Sequence, residues 1–80
     1  MIIPKELESV LSADPEVMHG KLCFTGTRVP LTVFLDNLAE GVGAEEFAQE
    51  YPSVSLEQIL RVVVWQQRET KQTLGLDLAS

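Results

Sequence analysis

Side chains suited to catalysis or metal binding are scarce in this 80-residue sequence. His19 is the only histidine and Cys23 the only cysteine, and two potential ligands do not complete a four-coordinate zinc site. Glu45, Glu46 and Glu50 have the spacing of a solvated helix face rather than of paired catalytic acids. We therefore predict no catalytic residue, no metal ion, no cofactor and no small-molecule substrate, and we expect that the protein is not an enzyme.

Two arginines have side chains suited to phosphate or base contacts, because a guanidinium group binds phosphate oxygens or guanine edges through two parallel hydrogen bonds. Arg61, Arg68 and Gln72 align on one stripe when successive residues are placed about 100° apart around a helix. These three are the predicted DNA-binding residues. Glu57 precedes Arg61 by four positions, so a solvated face with an ion pair along the helix is the alternative interpretation.

The helix that must carry these arginines has clear signals at its start. Ser55 is a good N-cap, since its hydroxyl can accept a hydrogen bond from the N–H of Gln58. The Gln58 side chain can bond back to the N–H of Ser55, which completes a capping box. Val54 and Ile59 flank the cap at the spacing of a hydrophobic staple. These signals predict a helix that begins after Ser55 and extends to Gln72.

A second, shorter helix precedes this one. Residues 44–51 have the apolar spacing of an amphipathic helix, and Pro52 stops it. Two helices joined by so short a turn predict a helix-turn-helix over residues 44–70. The second helix of such a unit often enters a DNA groove, so operator DNA is one predicted partner.

Apolar side chains occur around most of the longer helix. The predicted core face consists of Leu56, Ile59, Leu60, Val63 and Val64. Val62 and Trp65 fall outside that face, which predicts an interface with a partner or with a second copy of the chain. A homodimer also suits a chain of this length, because a small domain buries little of its own surface. The alternative is that the hairpin or the N-terminal helix folds over these two residues.

The remaining patterns complete a mainly α single domain, residues 1–80. Residues 4–11 have the pattern of a short amphipathic helix, and residues 31–40 have that of a longer one. Residues 20–30 read as two short strands around a turn at Gly26, which predicts a short N-terminal β-hairpin. A lone hairpin is barely stable, so it must pack on helices or pair with another chain.

The charge distribution argues against nucleic acid as a partner for most of the chain. The net charge is −6, which has the wrong sign for binding a polyanion. Residues 1–50 carry three basic and nine acidic side chains, whereas residues 51–80 carry three of each. The excess of acid therefore lies outside the helix with the arginines. A single cysteine and the lack of a long apolar run lead us to expect a cytoplasmic protein without a membrane partner.

Several short motifs resemble the bacterial family known as domain of unknown function 433. They occur in the family's order and spacing within about residues 12–65. The motifs are DPEV at 14–17, GK at 20–21, GTRV at 26–29, LAEG at 38–41 and EYPSVSLEQI at 50–59.

The resemblance implies a small helix-turn-helix domain of the homeodomain-like or winged-helix-like type. Members are regarded as antitoxin-like, often encoded beside a PIN-like nuclease toxin, so it implies a toxin protein and operator DNA as partners and no catalytic residue. A protein-interaction module with the same fold and no DNA binding is the alternative. Gly26, Thr27 and Arg28 match a family motif. We expect a structural role, in which Arg28 binds carboxylates or the C-terminal carbonyls of a helix and pins the hairpin to the helices. Partner binding is the alternative role.

Overall fold

Two short antiparallel strands open the fold in the computed structural model, which describes residues 2–76. Strand β1 is Leu11–Ala13 and strand β2 is Leu22–Phe24. The predicted N-terminal hairpin is therefore confirmed, but its strands pair differently. The predicted first strand is β2, and its partner is β1 rather than the segment after Gly26. The segment after Gly26 contributes only an isolated bridge at Pro30. Because proline has no N–H, that segment cannot form a full ladder with β2.

The helix predicted over residues 4–11 is reduced to a single 3-10 turn, Lys5–Leu7. The backbone beyond it pairs with β2 instead, since the N–H of Thr25 donates to the carbonyl of Val10 (2.9 Å) and Leu11 is in register with Phe24. A helix through these residues would leave β2 without its partner strand.

Three α-helices follow the hairpin. They are α1 (Leu31–Ala39), α2 (Ala44–Glu50) and α3 (Leu56–Thr73), and they confirm the helices predicted from apolar spacing. Gly41 has a φ of 95°, a left-handed conformation that glycine adopts without strain where the chain leaves α1. Within residues 2–76, the structure has no helix long and apolar enough to cross a membrane.

Three phenylalanine rings form the centre of the core. Phe34 packs edge-on against Phe47 with ring centroids 5.0 Å apart, and Phe24 lies 6.2 Å from Phe34. Edge-on packing is a geometry that aromatic side chains prefer, and these rings join β2, α1 and α2. The other buried apolar residues around them are Leu7, Val10, Leu11, Cys23, Val54, Ile59 and Val62.

Candidate functional site

The start of α3 is fixed by the capping box that its sequence predicts. The N–H of Gln58 donates to Ser55 Oγ (3.1 Å), and the N–H of Ser55 donates to Gln58 Oε1 (3.0 Å). Val54 and Ile59 on either side of the cap are both buried in the core. The beginning and the direction of α3 are therefore defined by residues close together in the sequence.

The buried face of α3 differs from the predicted one. Ile59 and Val62 are fully buried, whereas Leu56, Leu60 and Val64 are 37%, 43% and 52% exposed. The core face is thus rotated by roughly a quarter turn from the predicted arc. The 3-10 turn and α2 both pack on α3, and their Leu7 and Phe47 join Ile59 and Val62 in one buried cluster, which fixes this face toward the core.

The prediction that Val62 lies in an interface with a partner is wrong. Its side chain is 1% exposed and belongs to the core, so it cannot contact a partner while the domain is folded. Trp65 is half-buried and packs partly against the core, while part of its surface faces solvent. The burial of Val62 and the partial burial of Trp65 are consistent with the alternative, in which the hairpin or the N-terminal helix folds over them, and the 3-10 turn that replaces that helix contacts α3. The homodimer stays a prediction.

An open groove runs along the exposed side of α3 and has a volume of about 510 Å³. We call it the α3 groove. Its floor is a stripe of apolar side chains four residues apart, Leu56, Leu60 and Val64, with Trp65 beside it. Its rim is charged and consists of Glu6, Glu57, Arg61 and Arg68. An apolar strip with a polar rim is the usual composition of a protein-binding surface.

The predicted DNA-binding residues lie next to this stripe. Arg61, Arg68 and Gln72 are all exposed. Arg61 Nη2 lies 3.5 Å from Glu57 Oε1, which is the ion pair along the helix that the alternative interpretation expects. Both side chains are largely exposed, so this pair contributes at most about 1 kcal/mol and does not prevent Arg61 from binding another group.

The turn at Gly26 is held in place by residues other than Arg28. Gln58 Nε2 donates to the carbonyl of Thr25 (3.0 Å), which links the turn to the start of α3. Thr27 Oγ1 donates to the carbonyl of Phe24 (2.8 Å) and accepts from the N–H of Val29 (3.1 Å). Gln58 therefore has a second role, which sequence reasoning missed because its partner is 33 residues away.

Arg28 itself is exposed and makes no hydrogen bond or ion pair through its side chain with any residue of the described range 2–76. The expected structural bond from its guanidinium group is thus not formed, and the bonds of Gln58 and Thr27 hold the turn instead. Arg28 instead lines a second groove of about 470 Å³, the hairpin groove, beside the β-strands. The residues that line it are Ser12, Asp14, Val17, Lys21, Cys23, Gly26, Thr27, Arg28 and Ser53.

The hairpin groove brings together motif residues that are far apart in the sequence. Asp14, Lys21 and the 26–28 turn belong to three separate family-like motifs, and all of them line it. Sequence reasoning did not group them into one site. The signal that could have done so is that all three motifs lie outside the predicted helices and are rich in polar residues.

The family can be assigned from a comparison with known proteins. A family model described as Protein of unknown function (DUF433) matches residues 11–65, more than half of the chain. The chain belongs to the DUF433 family. No curated protein matches it. Both grooves contain residues of the matched segment, so the DUF433 region includes most of the surface described above.

A solved structure supports the DUF433 fold. It is the crystal structure, at 2.00 Å resolution, of a DUF433 member protein from Anabaena variabilis ATCC 29413. The two chains are 18% identical and superpose with a TM-score of 0.62, over 98% of this chain and 87% of the other. At this identity the likeness concerns the fold alone.

Proposed function

We propose that this DUF433 chain is an antitoxin-like binding protein that holds a partner protein against the apolar stripe of α3. The observation that carries the proposal is the exposure of Leu56, Leu60 and Val64 on one side of a well-capped helix. Three aliphatic side chains four residues apart form a continuous apolar floor in the α3 groove, and a groove of this kind accepts an apolar segment of another protein.

The net charge of the chain, −6, favours a protein partner with a basic surface. The rim of the α3 groove is itself balanced, with Glu6 and Glu57 against Arg61 and Arg68, so the attraction comes from the domain as a whole. A nuclease that binds RNA needs a basic surface, so an acidic protein attracts it and speeds their encounter. The family resemblance supplies the class of partner, a PIN-like nuclease toxin. On this proposal the chain acts in the cytoplasm by binding and has no catalytic activity of its own.

A matched pair of leucine variants tests the proposed surface. The titrant is the purified PIN-like nuclease encoded beside this gene, and binding is measured by calorimetry. Leu60→Glu places a charge in the middle of the stripe and should weaken binding by about tenfold or more. Leu38→Glu is the control, because Leu38 is 38% exposed on α1 and lies outside the α3 groove. Its affinity should stay within about twofold of the unmodified chain.

Two results would contradict the proposal. One is a nuclease that does not bind, or a gene neighbourhood that encodes none. The other is an equal effect of Leu60→Glu and Leu38→Glu, which would place the contact away from α3. Circular dichroism of both variants checks that each retains its helices.

A second function, sequence-selective DNA binding, is favoured by the exposure of Arg61, Arg68 and Gln72 beside one another on α3. Gel retardation with the DNA upstream of the gene, over a series of salt concentrations, tests it. Arg68→Ala should weaken binding and reduce the slope of log affinity against log salt by about 1, because one phosphate contact is lost. Lys5→Ala, on the 3-10 turn, is the control with the same loss of charge. If no selective binding occurs at low salt, the DNA function is excluded.

A further inference from the structure

The hairpin groove is a second site, separate from the α3 groove. The two grooves share no lining residue, so neither the stripe nor the α3 arginines explain it. Its walls come from three parts of the chain: the hairpin with its 14–21 connection, the 26–28 turn, and Ser53 before α3. Most of its lining side chains are polar, which distinguishes it chemically from the stripe.

The hairpin groove is rich in positive charge, whereas the domain as a whole is acidic. Residues 1–50 contain three basic side chains, and two of them, Lys21 and Arg28, line the groove. Neither forms an ion pair in the part of the chain that the structure describes, residues 2–76. Among residues 2–76, Asp14 is the one acidic residue on the lining, and its Oδ1 already accepts the N–H of Glu16 (2.9 Å). Two cations and one carboxylate leave the lining with one net positive charge, which favours a bound anion.

Besides the two cations, the turn has backbone N–H groups that could donate hydrogen bonds to an anion. The N–H groups of Gly26 and Arg28 donate to no other residue within the described range, 2–76. The turn is nevertheless fixed in position, because Gln58 holds the carbonyl of Thr25 and Thr27 bonds to both of its ends. Donors that are already in place lose little entropy when an anion binds to them.

We infer that the hairpin groove binds an oxyanion, a phosphate or carboxylate group, on a small organic molecule. The guanidinium group of Arg28 supplies two parallel donors, which match the oxygens of either group, and Lys21 supplies a second positive charge. The volume of about 470 Å³ is within the range of small-molecule sites. A nucleic acid fits this groove poorly, because nearly all of its lining lies within residues 1–50, which carry three basic and nine acidic side chains.

Amide NMR of the whole chain tests the site directly. Sodium phosphate and sodium acetate are titrated separately, with sodium chloride keeping the ionic strength constant. The expected result is a saturable shift of the Gly26 and Arg28 amide signals with half-saturation at or below about 5 mM for at least one anion. The anion that saturates at the lower concentration identifies the group as phosphate or carboxylate. Linear shifts with both anions, or half-saturation above that limit, overturn the inference.

Variants that each replace a cation by a neutral side chain show whether the cations of the groove cause the binding. Arg28→Gln and Lys21→Gln should each weaken it by about threefold to tenfold, because each removes one charge-assisted contact. Lys5→Gln removes the same charge outside the groove and should change the affinity by less than about twofold. If Lys5→Gln weakens binding as much as the other two, the anion responds to net charge alone and the proposed site is wrong. All three residues are exposed, so the fold should be retained.

Discussion

Two valines on α3 provide a direct test of which face of the helix is buried. Val62 is 1% exposed and Val64 is 52% exposed, although they are two residues apart in the same helix. The substitutions Val62→Ala and Val64→Ala remove the same two methyl groups and gain the same helix propensity. Their difference in unfolding free energy therefore reports burial alone.

The magnitude follows from the burial of each side chain. Two methyl groups taken out of the core cost about 0.8 kcal/mol each in transfer free energy, and the cavity raises the total for Val62→Ala to about 2–3 kcal/mol. Val64→Ala removes groups that are already largely hydrated, and the better helix propensity of alanine offsets the rest. We expect its cost to be within about 0.5 kcal/mol of zero. The loss at Val62 is a large part of the roughly 4–12 kcal/mol typical of an 80-residue domain.

Urea unfolding followed by circular dichroism measures both variants. The midpoint of unfolding should fall clearly for Val62→Ala and stay nearly unchanged for Val64→Ala, with similar slopes. Equal destabilisation, or a larger loss for Val64→Ala, would refute the assigned core face. Measurements at two protein concentrations distinguish burial within the domain from burial in a dimer. If the stripe formed a dimer contact, the destabilisation by Val64→Ala would depend on protein concentration.

Three other substitutions test the local structure, two by the same unfolding measurement and one by amide NMR. Ser55→Ala removes the N-cap acceptor of α3 and should cost about 1 kcal/mol; no loss would show that the capping box does not stabilise the helix. Gln58→Glu keeps the acceptor for the N–H of Ser55 but loses the donor to Thr25, so it should move the amide NMR signals around Gly26 while leaving α3 intact. Unmoved signals would contradict the role of Gln58 in holding the turn. Gly41→Ala forces alanine into a left-handed conformation and should cost about 1–2 kcal/mol, with no steric term because no atom of residues 2–76 lies within 4 Å of the added Cβ.

The hairpin and the 26–28 turn show where sequence reasoning reached its limit. The turn at Gly26 was predictable, because a glycine with positive φ is a local requirement. The partner of β2 was not, since residues 4–11 have a good helical pattern that gives way only when β2 lies beside them. The residue that holds the turn was not predictable either. The expected bond from Arg28 is replaced by one from Gln58, which lies on α3, 33 residues after Thr25.

The sequence by itself determined the elements whose cause lies within a few residues. The capping box at Ser55, the bounds of the three helices and the membership of the DUF433 family all follow from short stretches of the chain. Tertiary structure decided which side of α3 is buried. That helix has apolar residues around most of its circumference, so its pattern permits several core faces, and the packing of the 3-10 turn and α2 selects the one with Ile59 and Val62. The stripe left outside is a consequence of that packing. The cations of the hairpin groove are brought to one site by the pairing of the strands and by the 26–28 turn, and the two proposals depend on these two arrangements.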